Sequence, residues 1–282
     1  MKHLLLLGAA LAIAACTSTD EPQVAAAAPP SAAPAPAPPA GPTRDAQGNI
    51  VLPPGQDMSK LTSAAPEPPG PGTQLGPYTQ VTIAAADSLP THTVYYPSDL
   101  SAFPAKGKLP VLVWGNGACR NEGRRFQGTL TKVASHGFLV VAVGLFEPKE
   151  GAPSTTGAQM IEGIDWVVKA NASNPALKGK IDTDKIAVMG QSCGGLMTIE
   201  AAHDPRIDTI GVINSGVYNA GPNTGRSITT ATKDTLKTIH SPAFYINGGE
   251  EDAAYPNSND DVARLNQVPV FYGVMKGAGH IA

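Results

Sequence analysis

Residues 78–282 predict an α/β domain with a mostly parallel central sheet flanked by helices. Three observations carry this reading. Runs such as Pro110-Val111-Leu112-Val113-Trp114 and Phe138-Leu139-Val140-Val141-Ala142-Val143 are apolar throughout rather than at alternate positions, as in strands buried on both faces. Segments with helical spacing separate them, for example Met160, Ile161, Ile164, Val167 and Val168. One strand-type run, Lys185-Ile186-Ala187-Val188-Met189, passes through Gly190 almost directly into a helix-forming run at 196–202. A stretch of about 205 residues suffices for one sizeable core.

In chain order, an initial pair of strands is expected at 78–83 and 92–96, followed by strands at 110–114 and 138–143. A polar helix over 122–135 links the latter two, and a helix over 159–172 leads to the strand before Gly190. Beyond 202 come a strand at 209–213, a helix within 227–239, a strand at 243–246, a short helix at 260–265 and a last strand at 268–274. Ligands of such sheets sit at the carboxyl ends of the strands.

The chain before this domain has a different character. Met1-Lys2-His3 is a short basic head, and residues 4–15 are an apolar run too short to span a membrane as a mature helix. Residues 1–15 therefore read as an export signal. Ile13-Ala14-Ala15-Cys16 resembles the lipobox of bacterial lipoproteins, which implies lipid modification of Cys16 and a periplasmic or cell-surface lipoprotein. An ordinary cleaved signal peptide is the other reading, and both place the protein outside the cytoplasm. Lipid at Cys16 would make the membrane a partner through acyl chains. Fifteen of the 27 prolines lie between Pro22 and Pro77, many among alanines. A proline lacks an N–H and fixes φ, so residues 16–77 are expected to be a disordered, extended tether. Pieces such as Asn49-Ile50-Val51-Leu52 are expected to dock locally.

The formal net charge is −3, and no basic run is present. Nucleic acid is therefore not an expected partner.

Gly190-Gln191-Ser192-Cys193-Gly194 fits G-x-S-x-G between a strand and a helix. A nucleophilic serine must project from a sharp, strained turn that leaves no room for neighbouring Cβ atoms, hence the glycines. The competing reading is a glycine-rich turn with a buried serine. A serine hydroxyl needs a base to take its proton, and the base needs an orienting acid. Around such an elbow the order is serine, acid, histidine. Of the six histidines only His240 and His280 follow the elbow helix. No acid sits on a strand end between Ser192 and His240, so His280 in Lys276-Gly277-Ala278-Gly279-His280 is the expected base. His136 and His203 are expected at helix ends. The loop Asn247-Gly248-Gly249-Glu250-Glu251-Asp252 follows a strand and offers three carboxylates. Asp252 is preferred, because the glycines make the turn and a short side chain fixes an imidazole best; Glu250 and Glu251 compete. Two backbone N–H groups must meet the oxyanion. One belongs to Cys193, and the other is assigned to Ala118 in Gly115-Asn116-Gly117-Ala118-Cys119, with Gly117 as the fallback.

Residues 190–194 with Asp252 and His280 resemble the triad of the α/β-hydrolase superfamily. Ser135-His136-Gly137-Phe138-Leu139-Val140-Val141-Ala142 is similar to the fourth-strand segment in the branch of dienelactone hydrolases, chlorophyllases and polyester-cleaving cutinase-like esterases. The resemblance implies the α/β-hydrolase fold and a serine hydrolase acting on small or polymeric carboxylic esters through an acyl-enzyme. It departs in three places. Asn116 stands where many relatives carry a histidine. Ser192 replaces the cysteine of dienelactone hydrolases, which argues against that activity. The chain stops at Ala282 without the C-terminal helix that relatives usually carry, which leads to the expectation of a fragment or a frayed terminus around His280.

If the amides of Cys193 and Ala118 converge on one oxygen, their backbones lie only a few ångströms apart. A Cys119–Cys193 disulfide bracing that hole is then expected, in an oxidising compartment; two buried free thiols are the alternative. Asp182 with Asp184, and Asp260 with Asp261, read as turn and capping residues rather than metal ligands. No zinc spacing or phosphate-binding glycine loop is present, and neither a metal nor a cofactor is expected. Trp114 reads either as cleft wall or as core, and Tyr255 as a pocket residue. Two rivals to an esterase remain: a peptidase of the same fold, and a non-catalytic surface protein that keeps the fold for binding.

Overall fold

A computed structural model describes residues 75–218 and 229–280, with two short pieces at 43–44 and 50–51. The export signal and Cys16 lie outside the described residues. Within the stretch read as a tether, Thr43–Arg44 pairs antiparallel with Ile50–Val51.

The domain is built on one eight-stranded sheet. Its strands are β1 (Val81–Ala86), β2 (Leu89–Pro97), β3 (Leu109–Gly115), β4 (Leu139–Val143), β5 (Ile181–Gln191), β6 (Thr209–Ile213), β7 (Ala243–Asn247) and β8 (Val270–Val274). Their spatial order is β8-β7-β6-β5-β3-β4-β2-β1. β1 and β2 pair antiparallel, β2 joins β4 antiparallel, and the remaining pairs are parallel. Among the described residues the α-helices are α1 (Gln127–Ser135), α2 (Gly157–Ser173), α3 (Cys193–Ala201) and α4 (Tyr255–Arg264).

Period-2 alternation of the strands sends side chains to two cores. Val111, Val113, Val141, Val188, Ile210 and Tyr245 pack with Met160, Ile164 and Val167 of α2 and Met197 and Ile199 of α3. On the other face Leu112, Trp114, Val140 and Ala142 pack with Leu130 and Ala134 of α1. Trp114 is thus core: its ring lies 5.2 Å from that of Phe126, and its indole N–H donates to Asn116 Oδ1 at 3.1 Å.

Four elements differ from the sequence expectation. The helix expected over 122–135 begins only at Gln127. The backbone of residues 122 and 123 is already engaged elsewhere: Glu122 bridges Leu145, Gly123 N–H donates to Leu145 O, and Glu122 O accepts from Asn116. In α2 the buried stripe runs through Met160, Gly163, Ile164, Trp166, Val167 and Ala170, whereas Val168 is 43% exposed. Within 229–239, the described part of the helix expected over 227–239, there is only a 3-10 turn, Thr235–Thr238. Its threonines turn inward on their own backbone, with Thr232 N–H donating to Thr235 Oγ1, and this competes with helix. The helix expected at 260–265 starts earlier, at Tyr255, because Pro256 in the first turn initiates it. Asp260 and Asp261 therefore lie inside α4 rather than at its cap. Asp261 is buried, pairs with Lys233 and accepts from Val217 N–H at 2.8 Å; burial, opposed by Lys233, pushes its pKa up to about 6.

His92 on β2 is buried beneath α2 and was given no role by its sequence context. Its Nε2–H donates to Gln159 O at 2.8 Å, and Nδ1 lies 3.0 Å from Thr91 Oγ1. Burial lowers its pKa from 6.5 to about 4, partly offset by that bond to Gln159. The unfolded chain binds a proton here between those two values and the native state does not. Stability is therefore complete above pH 6.5 and is lost as pH falls toward 4, by about 3 kcal/mol for this group. Urea titrations across that window are expected to show the decline, and His92→Gln to flatten it.

Candidate active site

The candidate triad and oxyanion residues sit past the carboxyl ends of β3, β5, β7 and β8. β5 runs into Ser192 at φ 53° and ψ −117°, a left-handed conformation, and α3 starts at the next residue. Two glycines make this turn fit. A Cβ on Gly190 would strike the carbonyl of Gly194, and one on Gly194 would strike the carbonyl of Gly115. Ser192 N–H donates to Ile213 O at 2.8 Å, and Ser192 O accepts from Ser215 Oγ at 2.6 Å. The turn is thus tied to the end of β6.

The structure brings Ser192, His280 and Asp252 together. His280 Nε2 is 2.9 Å from Ser192 Oγ, and His280 Nδ1 is 2.7 Å from Asp252 Oδ1. Asp252 is ionised at neutral pH and can only accept, so Nδ1 carries the proton and Nε2 is left to accept from the serine hydroxyl. Asp252 is 1% exposed. Its carboxylate accepts four hydrogen bonds: from His280, from Ala254 N–H at 2.8 Å, from Gly248 N–H at 3.0 Å and from Asn214 Nδ2 at 2.8 Å. Burial works against the charged form, but the bonds from His280, Ala254 and Gly248 outweigh it and hold the carboxyl below its usual pKa. Glu250 and Glu251, the competing carboxylates, are exposed on the same loop.

The histidine loop is fastened by its backbone. Met275 N–H donates to Asn247 O at 2.8 Å and Gly279 N–H to Gly248 O at 3.3 Å. Gln191, between Gly190 and Ser192, donates from Nε2 to His280 O at 3.1 Å. Of the other histidines, His136 caps the C-terminus of α1, His203 lies just past α3 with Nδ1 2.8 Å from Glu200 O, and His240 is exposed before β7.

The loop after β3 packs against the elbow, since the backbone of Gly115 and Asn116 abuts Gly194. Gly117–Cys119 forms one 3-10 turn in which Ala118 and Cys119 are left-handed, at φ 52° and 47°. Asn116 shapes this turn from within. It is fully buried, and its Nδ2 donates to Glu122 O at 2.9 Å and Val143 O at 3.0 Å. Cys119 and Cys193 are joined by a disulfide, with Cα atoms 5.2 Å apart. The Cys193 amide opens α3, where first-turn N–H groups have no intrahelical acceptor and the helix dipole is positive.

Sequence reasoning missed the roles of Asn116, Gln191 and Asn214. The available signal was positional: Gln191 ends a buried strand and Asn116 and Asn214 each follow one, where an unpartnered amide would be costly. Tyr255 opens α4, and its N–H donates to Asp252 O at 2.9 Å. Asp182 pairs with Lys185 at 2.9 Å. No group of three or more metal-binding side chains occurs among the described residues.

A mostly parallel sheet wrapped by helices, with a glycine-flanked serine between β5 and α3, defines an α/β-hydrolase. A family model described as "PETase: PET hydrolase-like" matches residues 72–220, and the chain belongs to that family. Among curated relatives, it is 27% identical over 117 residues to "Cutinase 2" of Thermobifida cellulosilytica, covering 42% of this chain and 41% of that protein. "Cutinase est2" of Thermobifida alba is 28% identical over 168 residues, 57% of this chain and 52% of its own length. "Bis(hydroxyethyl) terephthalate hydrolase" of Streptomyces coelicolor is 27% identical over 135 residues, 45% and 39% of the two chains. The chain thus spans about half or less of the length of these relatives.

Proposed function

We propose that this protein is an exported serine hydrolase that cleaves carboxylic esters. The observation that carries the reading is the relay itself, with Nε2 of His280 2.9 Å from Ser192 Oγ and Nδ1 2.7 Å from buried Asp252. Ser192 Oγ attacks the ester carbonyl carbon while His280 Nε2 takes its proton. Asp252 holds the imidazole in the required tautomer and balances the imidazolium. The amides of Cys193 and Ala118 receive the oxyanion. Collapse expels the alcohol, which leaves with the proton from His280. Water, deprotonated by the same nitrogen, then attacks the acyl carbonyl; the acyl–Oγ bond breaks, Ser192 Oγ takes the proton back from His280, and the acid is released. The names of the relatives, cutinases and a bis(hydroxyethyl) terephthalate hydrolase, favour ester over peptide substrates.

Fluorophosphonate labelling tests the reading. The full chain is expected to take one label at Ser192 and to hydrolyse p-nitrophenyl esters in preference to peptide anilides. Absence of label would point to a binding protein, and preference for anilides to a peptidase.

Export and anchoring belong to the same proposal. The signal at 1–15 and the lipobox ending in Cys16 support a bacterial surface lipoprotein, with residues 16–77 as tether and 78–282 as catalytic domain. Expressed in a bacterial host, the protein is expected in the membrane fraction, and Cys16→Ser is expected to move it to the soluble exported fraction. A Cys16→Ser protein still in the membrane fraction would refute the anchor.

A further inference from the structure

We infer that Asn214 is a positioning residue that aligns Asp252 and His280, so that the carboxyl end of β6 registers all three members of the relay. The inference rests on the triad reading above. Three consecutive residues make the connection. Ile213 O accepts from Ser192 N–H, and Ser215 Oγ donates to Ser192 O, so both flanking residues fix the nucleophile's backbone. Asn214 between them faces the other two members. Its Nδ2 donates at once to Asp252 Oδ2, at 2.8 Å, and to Gly279 O, at 3.1 Å, the carbonyl of the residue before His280.

The residue is 7% exposed, so neither bond competes with bulk water. One amide nitrogen thereby holds Asp252 Oδ2, the carboxylate oxygen that does not face His280 and to which Gly248 N–H also donates, together with the backbone that carries the base. This matters because His280 lies on a loop with left-handed glycines at 277 and 279, a segment with little stiffness of its own. Asn214 has φ 44°, and its N–H donates to Ile246 O at 2.7 Å. Asparagine is one of the few side chains that tolerates this backbone. Glycine tolerates it but carries no donor. Aspartate tolerates it but offers the acid a second carboxylate instead of an N–H. The position needs both the left-handed backbone and two amide hydrogens.

The test compares the full chain with Asn214→Gly and Asn214→Asp on p-nitrophenyl butyrate, with rates normalised to sites titrated by fluorophosphonate so that unfolded protein does not count. Both variants are expected to lose kcat by about 10- to 100-fold, the equivalent of one hydrogen bond to a charged group, with KM changed less than about twofold. The far-downfield proton resonance of the His280 Nδ1–H bonded to Asp252 is expected to shift or broaden in Asn214→Asp. A kcat within about twofold of the parent in both variants, or a loss confined to KM, would overturn the inference. Ser192→Ala run alongside separates the two readings. If it keeps the parent's activity, the triad reading fails. If it is inactive while the Asn214 variants match the parent, only the positioning role fails.

Discussion

Replacing Ser192 with alanine is expected to reduce ester hydrolysis by about 10⁴-fold or more, leaving only what the oxyanion site and substrate binding contribute. The magnitude follows from the relay acting as a unit. Without the hydroxyl there is no acyl-enzyme, and His280 and Asp252 have no proton to move. His280→Ala is expected to cost a similar factor, and Ser192→Ala/His280→Ala little more than either alone, because the second change removes a group that already lacks its partner. Steady-state kinetics on p-nitrophenyl esters for the single and double variants checks both claims. Losses that multiply in the double variant would mean that the two residues act independently, which the 2.9 Å contact between them argues against.

Loss of the Cys119–Cys193 bond is expected to have the largest effect on stability. The bond closes a separation of 74 residues, and the chain-entropy estimate for such a loop is about 4 kcal/mol. The variant to use is Cys119→Ala/Cys193→Ala, which leaves no buried thiol behind. Urea titration is expected to show a lower midpoint. The bond also joins the turn after β3 to the first residue of α3, the two backbones proposed to hold the oxyanion. If they spread apart, kcat is expected to fall as well, by up to about 10²-fold, the scale of losing one oxyanion donor. An unchanged midpoint would show that packing at Gly115, Asn116 and Gly194 holds the two backbones without the bond. An unchanged kcat with a lowered midpoint would confine the disulfide to stability.

Much of the fold is legible in local chemistry. The all-apolar runs that became β3 and β4 could be read because a strand buried on both faces has no polar positions to confuse its period. The Gly190–Ser192–Gly194 turn could be read because few sequences tolerate that backbone. Boundaries were less legible wherever a distant partner decided them. Residues 122–126 have helix-compatible sequence, yet bonds to Asn116 and Leu145 hold their backbone outside the helix. Val168 fits the helical period but lies on the solvent side of α2.

The same division runs through the site. The chain alone determined a strand, a sharp serine turn and a helix, and order along the sequence, with no acid on a strand end before His240, left His280 as the candidate base. These follow from interactions among neighbours, which are written in the residues themselves. Only the folded sheet decided that Asp252, rather than Glu250 or Glu251, meets His280, and that Asn116, Gln191 and Asn214 turn their amides inward. Those choices depend on hydrogen-bond partners up to 89 residues away, whose positions exist only once the strands have assembled.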